Sequence, residues 1–488
     1  MKQKLFKCSK LLFILAFFLM TAFAAAACQP TPKEEIVPQK TAIYTENEPE
    51  EVITKESLGI PEHIDETYRL GDKLTLAFDA DVMVPANLDE YKVYRGTLID
   101  FTQEQAESFA ELFVDGVEMT AHDGRMTKDE IMENLILPAK KTLAELKAGT
   151  YVKSAETNSA EGEELTAGKM EETIKMYEQW LENAPEERSS EPVSIESYAD
   201  NGNYFYGEFP VEGTIVTGKF AVGKGDRNFG ELAYYNSKYE LREPSNLMPD
   251  PVRLALPKEG LDLKTTPEQA VALAEKVKSS LGADELELFG VMQAEAWVES
   301  ITSGKINAYY VVFTRNFDKI PVLYIPESVA LGDYSAGQPF EKLTVTVDDS
   351  GVIAVNWMGN TKITDVLSEH PAFLSFDKIL VSVKNQMNAT DRYWVEQNTD
   401  WENDTSLVTS ASLEYLRIKD PDGRENGVRF VPAWVFRGTD TVTYTDEALE
   451  NNEYLTEKTT ASNFMTPIVI NALDGSFFDP RFLDGISD

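Results

Sequence analysis

The sequence predicts an α+β chain made of repeated units, each an antiparallel sheet with a helix packed on one face. Two observations carry this. First, a capped amphipathic helix, three long alternating strands and an Asp-Gly-type turn follow one another twice in the second half of the chain. Second, the first half repeats the theme in a more decorated form, with half-buried strands on either side of helices opened by capping boxes.

Taken in order, residues 1–27 read as a secretory signal. Lys2, Lys4, Lys7 and Lys10 make a positive start, Leu11 to Phe23 is apolar, and Ala24 to Ala27 supply the small residues of a cleavage site. Ala25-Ala26-Ala27-Cys28 resembles a bacterial lipoprotein signal, which implies a lipid on Cys28 and Cys28 as the mature terminus. The other readings are an uncleaved anchor, for which the 17 apolar residues from Leu11 to Ala27 are at the short limit, and cleavage that leaves Cys28 a free thiol. Two acyl chains anchor a protein stably where one does not, so a diacylglyceryl group on Cys28 suits permanent attachment. Residues 28–60 read as a disordered tether. They are rich in Pro, Glu, Lys and Thr and lack apolar periodicity; as a coil their ends would lie roughly 30 Å apart.

Residues 61–245 read as an N-terminal α+β domain with a helical insertion. Leu74, Leu76, Phe78, Ala80 and Val82 alternate with polar residues as a strand, and Tyr91 to Leu98 reads as another. Thr102 with Gln105 and Thr127 with Glu130 are capping boxes. The first opens a helix with a stripe of Ala106, Phe109, Ala110 and Phe113; Pro138 should kink or split the second. A third helix carries Met170, Ile174, Tyr177 and Leu181, and strands follow near 203–209, 214–221 and 229–235. The Pro-rich stretch from Arg242 to Gly260 reads as a connector.

Residues 260–360 form the next expected unit. Thr266 and Gln269 cap a helix with Pro267 at its first position, and Ala270, Leu273, Ala274, Val277 and Leu281 face inward. Strands are expected at 286–298, 307–314, 342–347 and 352–358, with Asp348 to Gly351 turning the last pair. Residues 370–488 repeat the plan: a helix striped by Phe376, Ile379, Leu380, Val383 and Met387, then strands at 406–418, 428–437 and 464–472, the last ending at Asp474-Gly475.

This layout resembles small extracytoplasmic PepSY-type domains, through Thr266-Pro267-Glu268-Gln269-Ala270 at a helix start and Asn471-Ala472-Leu473-Asp474-Gly475 at a strand end. More distantly it resembles the sheet-and-helix domains of membrane-anchored regulators of Gram-positive cell-wall sensor kinases. As a whole, through Ala27-Cys28-Gln29-Pro30-Thr31-Pro32 and Phe101-Thr102-Gln103-Glu104-Gln105-Ala106, the chain is similar to uncharacterised lipoproteins of clostridia-like Gram-positive bacteria. That likeness implies a setting and no activity.

Charge narrows the partners. Removing residues 1–27, with four lysines and no acid, takes the formal charge from −38 to −42. Such a chain is not expected to bind nucleic acid, which requires Lys and Arg to displace counterions, nor to adhere to anionic lipid by charge. The expected membrane contact is the lipid on Cys28. The chain holds two cysteines, Cys8 in the signal and Cys28, so the mature part has no internal disulfide and no cysteine metal site.

Chemistry-bearing motifs are sparse. The three histidines, His63, His122 and His370, show no metal-site spacing. The stretch from Gly332 to Gly337 misses the nucleophile-elbow spacing, and Gly223-Lys224-Gly225 reads as a turn rather than a phosphate loop. Asp420, Asp422 and Glu425 place oxygen ligands close together around Gly423 and make a calcium candidate, with a hairpin turn as the plainer reading. Tyr393, Trp394 and Trp401 are candidates to line a ligand cleft, with closure over a sheet end as the plainer reading. No catalytic residue is singled out and no cofactor is expected. The expected function is that of a lipid-anchored, non-enzymatic binding or regulatory module on the extracytoplasmic face of the membrane, with a protein or peptide partner at the cell surface. The alternatives are a cell-surface hydrolase using carboxylates and a solute-binding lipoprotein for a cationic ligand.

Overall fold

The computed structural model describes residues 53–122, 126–148, 150, 166–186, 190–212, 217–223, 230–236, 240–242, 261–298, 302–324, 340–424, 426–452, 455, 457–464 and 467–478. The expected signal, Cys28, most of the tether, the 243–260 connector and the Gly332–Gly337 stretch lie outside these residues, as do Lys224, Gly225 and Glu425.

Strands β1 (His63–Arg69), β2 (Leu74–Met83) and β3 (Val93–Leu98) come first. Then follow α1 (Gln103–Phe113), β4 (Met119–His122), α2 (Leu137–Ala148), α3 (Ala167–Asn183), β5 (Ser190–Val193), β6 (Tyr204–Pro210), β7 (Thr217–Gly223), β8 (Glu231–Tyr235) and β9 (Glu240–Arg242). The next stretch is α4 (Pro267–Ser280), β10 (Leu286–Val298), β11 (Thr302–Phe317), β12 (Ile320–Pro321), β13 (Lys342–Asp348), β14 (Gly351–Met358) and β15 (Thr361–Ser368). The last is α5 (Phe376–Gln397), β16 (Trp401–Lys419), β17 (Gly427–Tyr444), α6 (Asp446–Asn451), β18 (Thr459–Asn463), β19 (Ile468–Asn471) and β20 (Phe477–Phe478). The class is α+β with mostly antiparallel sheets, as the sequence predicts.

The chain divides into two compact units. Unit one holds the described residues up to Tyr94, then Val366–Pro421 and those from Arg429 onward; unit two holds Arg95–Asp365 and Asp422–Val428. Strands β1 and β2, grouped by sequence with the residues after them, thus share a unit with α5 and its strands. The strands on either side of the connector share one sheet.

Unit two is an eleven-stranded sheet with the order β5-β4-β6-β7-β8-β14-β13-β11-β10-β9, β12 pairing with β11. Two helix-on-sheet repeats meet where β8 pairs antiparallel with β14, from Ala354 opposite Tyr235 to Met358 opposite Glu231. In the first repeat, α1 starts at the Thr102–Gln105 capping box and lays Phe109 on Phe220 at 4.8 Å and Phe113 on Tyr234 at 4.5 Å. In the second, α4 starts at the Thr266–Gln269 box and buries Ala270, Ala274, Val277 and Leu281 against Val311, Phe313, Leu343 and Val345. Each fully buried aliphatic or aromatic side chain of this core contributes about 1.5–3 kcal/mol. The helical insertion changes hydrogen-bond pattern before Pro138: a π turn at Met132–Ile136 joins Lys128–Ile131 to α2, a wider turn that suits the missing proline N–H.

Unit one follows the path β1-β2-β16-β17-β19-β20, with β18 on another stretch of β17. Helix α5 with β16, β17, β19 and β20 reproduces the order of α4 with β10, β11, β13 and β14. In both, the closing turn ties to the start of the helix. Asp349 Oδ1 accepts from the N–H groups of Lys264 and Thr265 at 2.8 and 2.9 Å, ahead of α4. The Leu374 N–H donates to the Ala472 carbonyl at 2.9 Å, ahead of α5. The strand expected at 464–472 is the shorter β19, and β18, which the sequence reading did not mark, precedes it on a different part of β17.

The tether ends earlier than its composition suggests. Thr54 and Ser57 bond each other's backbone N–H groups at 3.0 and 3.1 Å. The Leu58 carbonyl then accepts from the Phe376 N–H at 2.8 Å. That contact serves the N-terminus of α5, where Ser375 makes no side-chain cap.

Candidate functional site

Three carboxyls gather in unit one where its apolar core gives out. The inward stripe of α5 runs Phe376, Ile379, Val383 and Met387 and then meets Asp391. On β16 the residues beside the buried β2 row are Val408, Ser406 and Asp404, opposite Phe78, Leu76 and Leu74. On β17 the alternate positions read Trp434, Phe436, Gly438 and Asp440. Phe376 meets the Trp434 ring at 4.8 Å and Phe78 meets Phe436 at 6.3 Å, which fixes the helix-covered face. The same periodicity that builds the core therefore delivers one acid from each element to its end.

The geometry leaves the deepest carboxyl unsatisfied. Asp404 is 7% exposed and its Oδ1 has no hydrogen-bond partner. The Ser406 hydroxyl donates to Asp440 Oδ1 at 2.7 Å. Asn388, one turn before Asp391, also has a buried Oδ1 without a partner. Burial, then repulsion from Asp440 and Asp391, pushes the Asp404 carboxyl up to about 7. Burial, joined by repulsion from Asp391 and opposed by the Ser406 hydrogen bond, pushes Asp440 up to about 6. The charged groups acting on Asp404 are thus two further acids, opposed by a hydrogen bond from the Thr405 backbone, an arrangement that disfavours full ionisation and suits an incoming positive charge.

A carboxyl raised in the fold binds its proton more tightly there than in the unfolded chain, where Asp titrates near ~3.9. Its contribution to stability is complete below about pH 4 and is lost as pH rises to about 7. Asp404→Asn removes that loss. The variant is expected to exceed the parent in stability at pH 8 by on the order of 2–4 kcal/mol, and to match it near pH 4, in urea titrations. Equal stability at pH 8 would contradict the burial and repulsion that raise this carboxyl.

The residues marked by sequence fall elsewhere. Tyr393 and Trp394 belong to α5, which runs ten residues beyond Met387 to Gln397 because Met387, Asp391 and Val395 keep the helical period. They are 52% and 71% exposed, their rings edge to face at 5.8 Å, and Trp401 opens β16 half-buried. Asp420 is buried in unit one with its Oδ1 2.8 Å from Arg429 Nε. Asp422, in unit two, lies 2.5 Å from Arg95 Nη2. Each of these acids is matched by an arginine within its own unit.

The histidines are dispersed. His63 is exposed between two acids, Nδ1 3.0 Å from Asp81 and Nε2 3.2 Å from Asp79, and the Asp81 hydrogen bond raises its pKa. His122 sits on β4 opposite Ser190, and His370 lies in the exposed stretch after β15. Among the described residues, no three His, Cys, Asp or Glu side chains gather closely enough to hold a metal ion.

The fold and this site define an α+β protein of helix-on-sheet repeats with a cluster of three acids at the end of one unit's core. No family model and no curated protein matches the chain. Among solved structures it is similar to an uncharacterized protein from Eubacterium rectale ATCC 33656, at 12% identity and a TM-score of 0.46, covering 88% of this chain and 99% of that one.

Proposed function

We propose that this protein is a lipid-anchored, extracytoplasmic binding module that holds a cationic ligand at the Asp391–Asp404–Asp440 cluster. The observation that supports this reading is the Asp404 carboxyl, nearly fully buried, with an unpartnered Oδ1 and two further acids acting on it. A positive group would relieve the repulsion and satisfy the orphaned oxygen. Thermal-shift titration of the detergent-solubilised mature protein with calcium, amines and basic peptides tests it. Stabilisation that Asp404→Asn abolishes is the expected result, and no response to any cation overturns the reading.

The raised carboxyl pair also favours a second reading, a surface hydrolase in which Asp404 supplies a proton as a general acid. Turnover of cell-wall glycan or peptide that is lost in Asp404→Asn would replace the binding reading with this one.

Membrane attachment is proposed from the sequence around Cys28. Among the described residues no helix is long and apolar enough to cross a membrane. Cys28→Ala is expected to move most of the protein from the membrane fraction to the culture medium, followed by immunoblotting. Retention of an uncleaved chain in the membrane would contradict lipidation.

A further inference from the structure

We infer that the Asp391–Asp404–Asp440 cluster takes one alkylammonium group, from a free polyamine or a lysine side chain. This rests on the cationic-ligand reading above and narrows it to a chemical class.

The cluster offers acceptors. Ionised carboxylates only accept hydrogen bonds, and an alkylammonium only donates, with three N–H groups on one centre. Asp404 Oδ1, buried and unpartnered, supplies one acceptor at depth; Asp391 and Asp440 flank it from α5 and β17. Asp440 is additionally oriented by Ser406.

Spacing argues for the amine over a bare ion. Calcium needs several oxygens at about 2.3–2.6 Å from one point. The described carboxylates do not gather that closely. A charge-assisted N–H···O bond spans about 2.7–2.9 Å, with the nitrogen at the centre of a wider shell. A guanidinium is planar and asks for paired oxygens in its own plane, whereas these acids come from three different elements.

Two nearby lysines, Lys73 and Lys458, have partners of their own. From the β1–β2 turn, Lys73 donates through Nζ to the Asn398 carbonyl at 2.7 Å, and its backbone N–H donates to Glu396 Oε1 at 3.0 Å. On α5, Arg392 is exposed and lies with Glu396 beside Gly71. At the start of β16, Glu402 pairs with Lys458 at 3.6 Å. The charged groups acting on Asp404 are Asp391 on α5 and Asp440 on β17, and beside β2 the Lys73 carbonyl accepts from the Asp404 N–H at 2.9 Å.

Proton exchange follows from linkage. Near pH 6 Asp404 holds its proton and Asp440 holds one about half the time, and an ammonium favours their ionised forms. Binding then releases protons to solvent, and affinity rises with pH by about tenfold per unit for each proton released. Once the empty site is ionised, above about pH 8, the dependence flattens.

Calorimetric titration of the detergent-solubilised mature protein decides the matter. The probes are spermidine, cadaverine, a lysine-containing peptide and calcium, at pH 6 and pH 8, in two buffers of different ionisation heat. Amine binding at one site per chain is expected, at least tenfold tighter at pH 8, with buffer-dependent heat at pH 6. The polyamine and peptide arms show which source of the ammonium is preferred. Asp404→Asn and Asp440→Asn should each weaken amine binding tenfold or more and reduce the proton release. Loose attraction to an acidic surface would survive both substitutions, and that result overturns the inference. Calcium binding without amine binding leaves the cationic reading standing and removes this one; silence from every probe removes both.

Discussion

Replacing Glu414 with alanine is expected to destabilise unit one by about 3–5 kcal/mol, the usual cost of leaving a buried charge without its partner. Glu414 is 1% exposed on β16 and holds Arg437 of β17 through two contacts, Oε1 to Nη1 at 2.6 Å and Oε2 to Nη2 at 3.0 Å. The Ser412 hydroxyl accepts from the same guanidinium at 3.0 Å. Alanine leaves Arg437 buried with the hydroxyl as a far weaker partner. Urea unfolding of the mature protein, followed by far-UV circular dichroism, measures the loss. Replacing Glu414 and Arg437 together with methionine should recover most of it, since a well-packed apolar pair avoids both desolvation penalties. A single-variant loss below about 1 kcal/mol would mean that water reaches the arginine.

Trp434→Ala is expected to cost a similar ~3–5 kcal/mol, from lost transfer energy and the cavity left behind. Trp434 is 2% exposed, and α5 rests on it through Phe376, with Phe436 beside it at 6.5 Å. The loss should appear in the same unfolding transition and loosen the helix above the carboxyl cluster. Trp394→Ala, on the solvent side of the same helix, is the control, with an expected change within about 0.5 kcal/mol. Equal losses in the two variants would contradict the packing of α5 on this face.

Much of the local structure was legible in the residues. The Thr102, Thr127 and Thr266 capping boxes form as their spacing dictates, because each satisfies orphaned N–H groups within one turn of its own chain. The helix-then-strands order also holds, because amphipathic period is a local property. Strand β1 was not legible: His63-Ile64-Asp65-Glu66-Thr67-Tyr68-Arg69 has few apolar residues and gains its pairing from β2, from His63 opposite Asp81 to Arg69 opposite Thr75. That Tyr393 and Trp394 lie on α5 was not legible, because Asp391 breaks the apolar stripe after Met387 and hides the helical period. The carboxyl cluster went unseen because its acids are spread over 50 positions of sequence from Asp391 to Asp440. The available signal was an acid standing where the inward period of each element calls for an apolar residue.

By itself the sequence determined where helices begin, which strands turn back on themselves, the helix-on-sheet repeat and the strongly acidic character of the chain. These depend on neighbours a few residues apart, or on simple sums. The tertiary structure alone decided that β2 lies parallel to β16, with Leu74 beside Asp404 across 330 positions, and that α5 brings Asp391 to the same place. Sheet pairing between distant strands is chosen by the burial of whole faces at once, and no short stretch of residues carries that information.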